Sequence, residues 1–263
     1  MPEEVNPDSN TKDPNGIFDL RGAHAVVTGG SRGLGREIVL AYAERGADVV
    51  IASRKIERCV ELATEVTDRF GVRAIPLACN VSSWADCDRL VDESVAALGS
   101  IDVLVNNAGL SPLYDGVEDI TEALWDKVIG VNLKGSFRLA ARFGGLMRDG
   151  GGGSIINISS LAAIRPTADI IPYAAAKAGL NNMTESLAAA LGPNVRVNCI
   201  MPGRFSTDVA AAWDDAAVAE SVQAHALRRV AEPDEIVGAA VFFASAASSY
   251  ATGSVLRLDG GVP

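Results

Sequence analysis

Thr28-Gly29-Gly30-Ser31-Arg32-Gly33-Leu34-Gly35 is the stretch on which the reading of this sequence turns. It follows an apolar, β-branched run, Ala23–Thr28, and opens a helical pattern over Gly35–Arg45. At such a strand–turn–helix junction Gly29 permits the tight turn, Gly33 lets backbone approach a pyrophosphate, and Gly35 allows close packing of helix on strand. The helix N-terminus then offers unpaired N–H groups and a favourable dipole to the phosphates. The spacing is G-x-x-x-G-x-G rather than G-x-G-x-x-G. A glycine cluster alone reads equally well as a flexible turn, but its place between the first strand and the first helix favours dinucleotide binding. Ser31, Arg32 and Leu34 belong to the same loop.

Outward from this loop, short β-branched runs alternate with longer helical stretches. The strands are predicted at Ala23–Thr28, Val49–Ala52, Ala74–Ala78, Val103–Asn106, Ser154–Ile158, Val195–Ile200 and Ser254–Leu258. Helices are predicted at Gly35–Arg45, Ile56–Phe70, Trp84–Leu98, Thr121–Met147 and Tyr173–Leu191. This alternation implies β-α-β units, hence an α/β fold: a doubly wound, seven-stranded, mostly parallel sheet with helices on both faces. Runs such as VLVN and SIINI are apolar without clean alternation, as strands covered on both faces should be. One catalytic domain is expected over residues 18–263. Residues 1–17, rich in Pro, Asn, Asp and Glu, are expected to form a disordered arm.

Composition narrows the function. A chain of 263 residues can bury a full core. Its net charge of -10 argues against nucleic acid or an anionic membrane as partner. Cys59, Cys79, Cys87 and Cys199 show no metal-ligand spacing, and His24 and His225 are the only histidines, so no metal site is expected. Scattered cysteines fit a cytoplasmic location. Met1–Phe18 has no apolar core of a signal peptide. Ile236–Ala247 is too short to span a bilayer and reads as a buried helix.

About 20 residues past the glycines, an NAD-binding fold offers a carboxylate to the ribose 2′-hydroxyl. Here the second strand runs into Ser53-Arg54-Lys55 with no acid in reach. Arg54 and Arg32 are placed to clamp a 2′-phosphate, with Ser53 donating to it. The plainer alternative is a pair of solvated helix-entry charges at Arg54 and Lys55. On this basis NADP(H) is expected over NAD(H).

Tyr173-Ala174-Ala175-Ala176-Lys177 sets a phenol and an ammonium one turn apart on one helix face. A cation ~4 Å from the phenol would lower its pKa by roughly three units from ~10, toward neutral general acid–base work. Such pairs also occur on ordinary helix surfaces. Ser160 closes the fifth strand thirteen residues earlier and could hold a carbonyl oxygen, although a serine there is often a plain turn residue.

Taken together, these pieces resemble the short-chain dehydrogenase/reductase family over about residues 18–261. The matching segments are TGGSRGLG at 28–35, Asn106-Asn107-Ala108-Gly109, Asn132, Ser160 with YAAAK at 173–177, Pro202-Gly203 with Thr207, and Leu258-Asp259-Gly260-Gly261. The resemblance implies a Rossmann-like fold and a hydride-transferring enzyme with Tyr173 as acid/base. It implies that Lys177 binds the nicotinamide ribose and tunes the phenol, that Ser160 orients substrate, and that Asn132 holds a water leading from Lys177 to solvent. Asn107, Ala108 and Gly109 would line the adenosine ribose. Pro202, Gly203, Phe205 and Thr207 would line the nicotinamide amide. Where the family commonly has Asp-Val near adenine, this chain has Asn80-Val81, whose amide oxygen can still accept from the adenine amine.

The expected reaction is hydride transfer between NADPH and a small ketone or secondary alcohol, and the resemblance implies a homotetramer joined through the two long helices after strands four and five. The stretch from Ala224 to Tyr250 resembles 3-oxoacyl-carrier-protein reductases and sugar-acid dehydrogenases, which keeps a thioester substrate as an alternative. Against it, the usual docking positions hold Gly150–Gly153 and Gly192-Pro193, with Arg148 the nearest cation, and an acidic chain suits an acidic carrier poorly. A dinucleotide-binding regulator without catalysis is the alternative of another class; the intact Ser160, Tyr173, Lys177 and Asn132 set speaks against it. The substrate pocket is expected from Leu110–Tyr114, Leu161–Pro172 and Arg204–Ala219. The last of these, with Phe205 and Trp213, reads as a lid or as a packed surface helix.

Overall fold

The computed structural model describes residues 16–207 and 222–263. The seven apolar runs form strands β1 (His24–Thr28), β2 (Asp48–Ser53), β3 (Ala74–Ala78), β4 (Val103–Asn106), β5 (Gly153–Ile158), β6 (Val195–Pro202) and β7 (Val255–Leu258). All lie in one sheet of order β3-β2-β1-β4-β5-β6-β7, and every adjacent pair is parallel. The interspersed helices are α1 (Gly33–Glu44), α2 (Ile56–Phe70), α3 (Trp84–Leu98), α4 (Glu122–Ile129), α5 (Gly135–Gly150), α6 (Ile171–Leu191) and α7 (Val237–Ala244).

Alternation along the strands assigns side chains to two cores. Val27, Val49, Ile51, Val105 and Ile156 pack under α1, α2 and α7. Val26, Val50, Leu104, Ile155 and Val197 pack under α3, α5 and α6. Both faces of β1, β2, β4, β5 and β6 are therefore largely dry, which is why these strands read as mainly apolar runs. Helix ends follow local rules: Ser83 caps α3 by accepting from the Asp86 N–H, and Gly71 ends α2 in the left-handed conformation at φ 69°.

Several boundaries differ from the sequence reading. The stretch Thr121–Met147 is not one helix, because Gly130–Lys134 forms a π turn between α4 and α5. β6 runs on to Pro202, and α7 is shorter than Ile236–Ala247, flanked by 3-10 turns at Pro233–Ile236 and Ala246–Ser248. Gly16 and Ile17, expected in the arm, form a 3-10 turn with Phe18; the rest of the arm lies outside the described residues.

The order reverses at β1. The chain builds outward to β3, then returns to lay β4 against the other side of β1. The two crossovers leave in opposite directions, so a crevice opens beyond the carboxyl ends of β1 and β4. The glycine loop leaves β1 there.

Candidate active site

The floor of this crevice is backbone. Gly29 has φ +62° and Gly33 φ +53°, conformations that side chains resist. A Cβ on Gly35 would collide with the Gly29 carbonyl oxygen and come within 2.5 Å of Asn107 Nδ2. Gly35 thus serves packing, but against the loop and Asn107 rather than against a strand. A Cβ on Gly33 would meet only Thr207, at 3.7 Å, so this is the side of the loop left open. Arg32 at the N-cap of α1 makes no side-chain cap, which leaves the first amides of the helix to an anion.

The loop is held by β4. Thr28 Oγ1 donates to the Val105 carbonyl and accepts from the Asn107 and Ala108 N–H groups at 3.1 and 3.2 Å. Asn107 Nδ2 donates to the Thr28 and Gly29 carbonyls at 2.9 and 3.1 Å. The Asn107 amide, expected to line a ribose, is therefore spent on clamping the glycine turn; Ala108 and the exposed Gly109 carry the open edge.

At the end of β2, Ser53 Oγ accepts from Ser31 Oγ at 3.1 Å, tying the loop to the strand. Arg54 is exposed beside it. Arg58, which the sequence reading passed over, shares a hollow with Ser31, Arg36, Glu61, Leu62 and Glu65. Arg36 there is held by both oxygens of Glu65. At the end of β3, Asn80 Oδ1 accepts from both the Ser82 N–H and hydroxyl, at 3.3 and 2.9 Å. That carbonyl was expected to receive the adenine amine, but its two acceptor positions serve its own turn. Val81 is buried beneath Gly135.

The far side is made of buried side chains. Asn132, fully buried in the π turn, donates to the Leu110 and Val128 carbonyls at 2.8 and 2.9 Å and accepts from the Leu110 N–H at 3.2 Å. Such a turn inside a helix often marks a functional position, because it re-aims one side chain. Lys177 is 3% exposed and donates to the Ile158 carbonyl at 2.7 Å. Its Nζ sits 5.6 Å from the centre of the Tyr173 ring. Ser160 caps the following 3-10 turn by accepting from the Ala162 N–H, and hydrogen-bonds the Tyr173 phenol. The structure therefore brings Ser160, Tyr173 and Lys177 together, with Asn132 adjoining through Gly109.

Electrostatics depart from the i, i+4 expectation. Burial pushes the Tyr173 phenol above its ordinary value, and the Ser160 hydrogen bond only partly offsets this. Burial also brings Lys177 down to about 8, with the nearby Cys199 thiol acting in the opposite sense. Lys177, still mostly protonated at neutral pH with a value of about 8, is not among the groups that move the phenol, for which burial outweighs the Ser160 hydrogen bond.

Pro202 ends β6, and Gly203 presses so close to Asp259 that a Cβ would lie 2.7 Å from its Cα. Phe205 is in the core with Ile236 and Ala240, so its ring faces away from the crevice and only its backbone can line it. Thr207 reaches across to Gly33. The expected lid beyond Thr207, including Trp213, lies outside the described residues.

A family model described as enoyl-(acyl carrier protein) reductase matches residues 29–263. The short-chain dehydrogenase/reductase astE of Aspergillus oryzae is 36% identical over 251 residues, covering 93% of this chain and 96% of its own. The chain belongs to the short-chain dehydrogenase/reductase family. It is an oxidoreductase acting on alcohols or ketones. Among solved structures, a gluconate 5-dehydrogenase from Burkholderia cenocepacia in complex with NADP and tartrate is 34% identical, with TM-score 0.89 over 94% of this chain and 97% of its own. A 7α-hydroxysteroid dehydrogenase complexed with NADH is 30% identical, with TM-score 0.90 over 94% and 97%.

In this short-chain dehydrogenase/reductase the sequence reading missed one contributor and gave another, at the end of the expected Leu110–Tyr114 wall, no role of its own. Ser159, beside Ser160, donates to the Lys177 carbonyl at 3.2 Å and so anchors the helix that carries the lysine. Tyr114 joins the two expected walls of the substrate pocket: it donates to the Ala168 carbonyl at 2.8 Å and accepts from the Ile171 N–H at 2.7 Å. The only available signal was an aromatic residue in a loop after a strand, which by itself specifies no partner.

Proposed function

We propose that this protein is an NADPH-dependent carbonyl reductase, or the reverse alcohol dehydrogenase, for small ketones and secondary alcohols. The observation that carries this reading is the meeting of the Ser160 hydroxyl, the Tyr173 phenol and the buried Lys177 amine on the same sheet edge as the open glycine loop. The loop fits a dinucleotide, since its open side at Gly33 and the uncapped start of α1 together make a cradle for phosphate. Ser31, Arg32, Gly33 and Leu34 would hold the pyrophosphate, and Pro202 to Thr207 the nicotinamide side. A bound nicotinamide supplies or accepts the hydride.

The chain's own residues then manage the proton. Ser160 holds the substrate oxygen, and Tyr173 gives its phenolic proton to that oxygen as charge develops on it. A raised phenol pKa keeps Tyr173 protonated at neutral pH, the form required for ketone reduction. Lys177, fixed by the Ile158 carbonyl, lies behind the ring and would bind the ribose. Asn132 holds Leu110 and with it the wall facing Lys177.

Preference for NADPH rests on Arg32 and Arg54 with Ser53, and on the missing acid after β2. The thioester alternative is disfavoured by Arg148. It sits before the amino end of β5, away from the site, and pairs with Asp149 at 3.0 Å. Four buried free thiols suit a cytoplasmic protein. Exposed Trp125, Phe137 and Leu146 on α4 and α5 suit a homotetramer, for which light scattering should return four chain masses. The test of function is oxidation of NADPH or NADH with a panel of ketones, ketoses and 3-oxoacyl thioesters. NADPH with a small ketone should be fastest; a thioester preference or equal use of NADH would overturn the assignment.

A further inference from the structure

We infer that Tyr114 is a positioning residue for the reaction: its hydroxyl caps the helix that carries Tyr173 and sets the spacing of the substrate walls. This rests on the functional reading above. α6 begins at Ile171 with no side-chain cap from Ile170, and Pro172 has no N–H to offer. The Ile171 N–H is thus the first amide of the helix, and it finds its acceptor 57 residues away in the Tyr114 hydroxyl, at 2.7 Å. The same oxygen donates to the Ala168 carbonyl at 2.8 Å, closing the 3-10 turn Ala168–Ile170 onto the helix start. One hydroxyl performs both tasks, and a phenylalanine performs neither.

The segment Leu110–Tyr114 is pinned at both ends. Asn132 holds the Leu110 backbone by its N–H and its carbonyl, and Tyr114 holds the entry of α6. Tyr173 follows Ile171 by two residues, so movement of the first helical turn carries the phenol with it. The aperture between the β4 loop and the β5 loop is therefore set by two hydrogen-bonding side chains, and Tyr114 is the one nearer the mouth. Its contribution falls on how a substrate is seated, because its bonds go to Ala168 and Ile171 and to none of the residues proposed to hold the dinucleotide.

Tyr114→Phe in the full chain tests this, with Tyr114→Ala as a second variant that also removes the ring. Amide hydrogen exchange over residues 168–176 should accelerate about tenfold in Tyr114→Phe, and exchange over the glycine loop should not change. The dissociation constant for NADPH should stay within about twofold of the parent. For the best ketone of the panel, KM should rise about tenfold while kcat falls about threefold or less. Unchanged exchange at 168–176 would overturn the cap. Faster exchange with unchanged KM would leave a merely structural bond and overturn the positioning role. If the parent enzyme reduced no ketone at all, the functional reading would fail instead, and the exchange measurement would still decide the cap.

Discussion

The two sides of the crevice are built from different materials. Around β1, α1 and β2, the surface offered to a ligand is backbone made accessible by missing side chains, with exposed cations at the rim. Around β5, α6 and β6 it is side chains held by hydrogen bonds: the buried Lys177 on the Ile158 carbonyl, the buried Asn132 on Leu110, and the half-buried Tyr114 on the start of α6. A phosphate needs many weak donors in a fixed curve, which backbone supplies. Proton transfer needs one group at one place, which only a side chain locked by its neighbours supplies. Substitutions on the two sides should therefore fail in different ways.

The largest effect is expected at Tyr173. Tyr173→Phe keeps the ring but removes the proton, so ketone reduction should fall by about 10²- to 10⁴-fold with NADPH binding near normal. Retention of nearly full turnover in steady-state assays would erase the distinction between the two sides. In the parent enzyme, alcohol oxidation needs the phenolate and should rise with pH, whereas reduction should decline as the raised phenol finally titrates.

Across the crevice, Gly35→Ala should damage the fold and cofactor binding together. Its methyl meets the Gly29 carbonyl and the Asn107 amide, which cannot retreat without opening the loop. Overpacking of this kind costs about 1–3 kcal/mol, readable by denaturant unfolding. Gly238→Ala on α7 is the control, because nothing lies within 4 Å of a Cβ there, and it should be neutral or slightly stabilising. Equal behaviour of the two alanines would show that the loop is not tightly clamped.

Lys177 gives a pH test of the buried side. Its folded value of about 8 lies below that of an unfolded lysine, so the unfolded chain holds more protons between these values. Stability then rises with pH over that window, and the penalty is fully present below it. Between pH 7 and 10 the parent should gain about 2 kcal/mol relative to Lys177→Met, whose unfolding lacks this increment. Parallel stability curves for the two proteins would mean that the amine is solvated.

The smallest effect belongs to the rim. Arg54→Asp should weaken NADPH and favour NADH by about tenfold, as a cation for the 2′-phosphate becomes an acceptor for a 2′-hydroxyl. Titration of both cofactors against both proteins measures it, and an unchanged ratio would remove Arg54 from the site.

Much of this was legible before any coordinates. Each of the seven strands lies within two residues of its predicted place, because short apolar runs stand out between helical periods. The π turn at Gly130–Lys134 was not legible: isolated glycines are tolerated inside a helical pattern and do not specify a π turn, and the irregularity arises where Gly130 and Gly135 pack against Ser82 and Val81. The place of the Phe205 ring was not legible for a related reason. Its motif neighbours lie along the crevice, but a bridge to Ala231 turns its ring into the core.

The sequence by itself determined the strand and helix series, the glycine loop after β1, and the pairing of Tyr173 with Lys177 on one helix face. These are local facts, written in periods of two and 3.6 residues and in the absence of a Cβ. The tertiary structure alone decided what each polar atom does with its hydrogen bonds. Asn107 clamps a turn 79 residues back, Asn80 closes its own turn, and Tyr114 caps a helix 57 residues on. It also decided the direction of the Tyr173 shift, since charge spacing along a helix is local but burial is not. Donor and acceptor partners far apart in the chain meet only once the sheet order has placed β4 beside β1 and β5 beside β4, and nothing in either segment alone encodes that meeting.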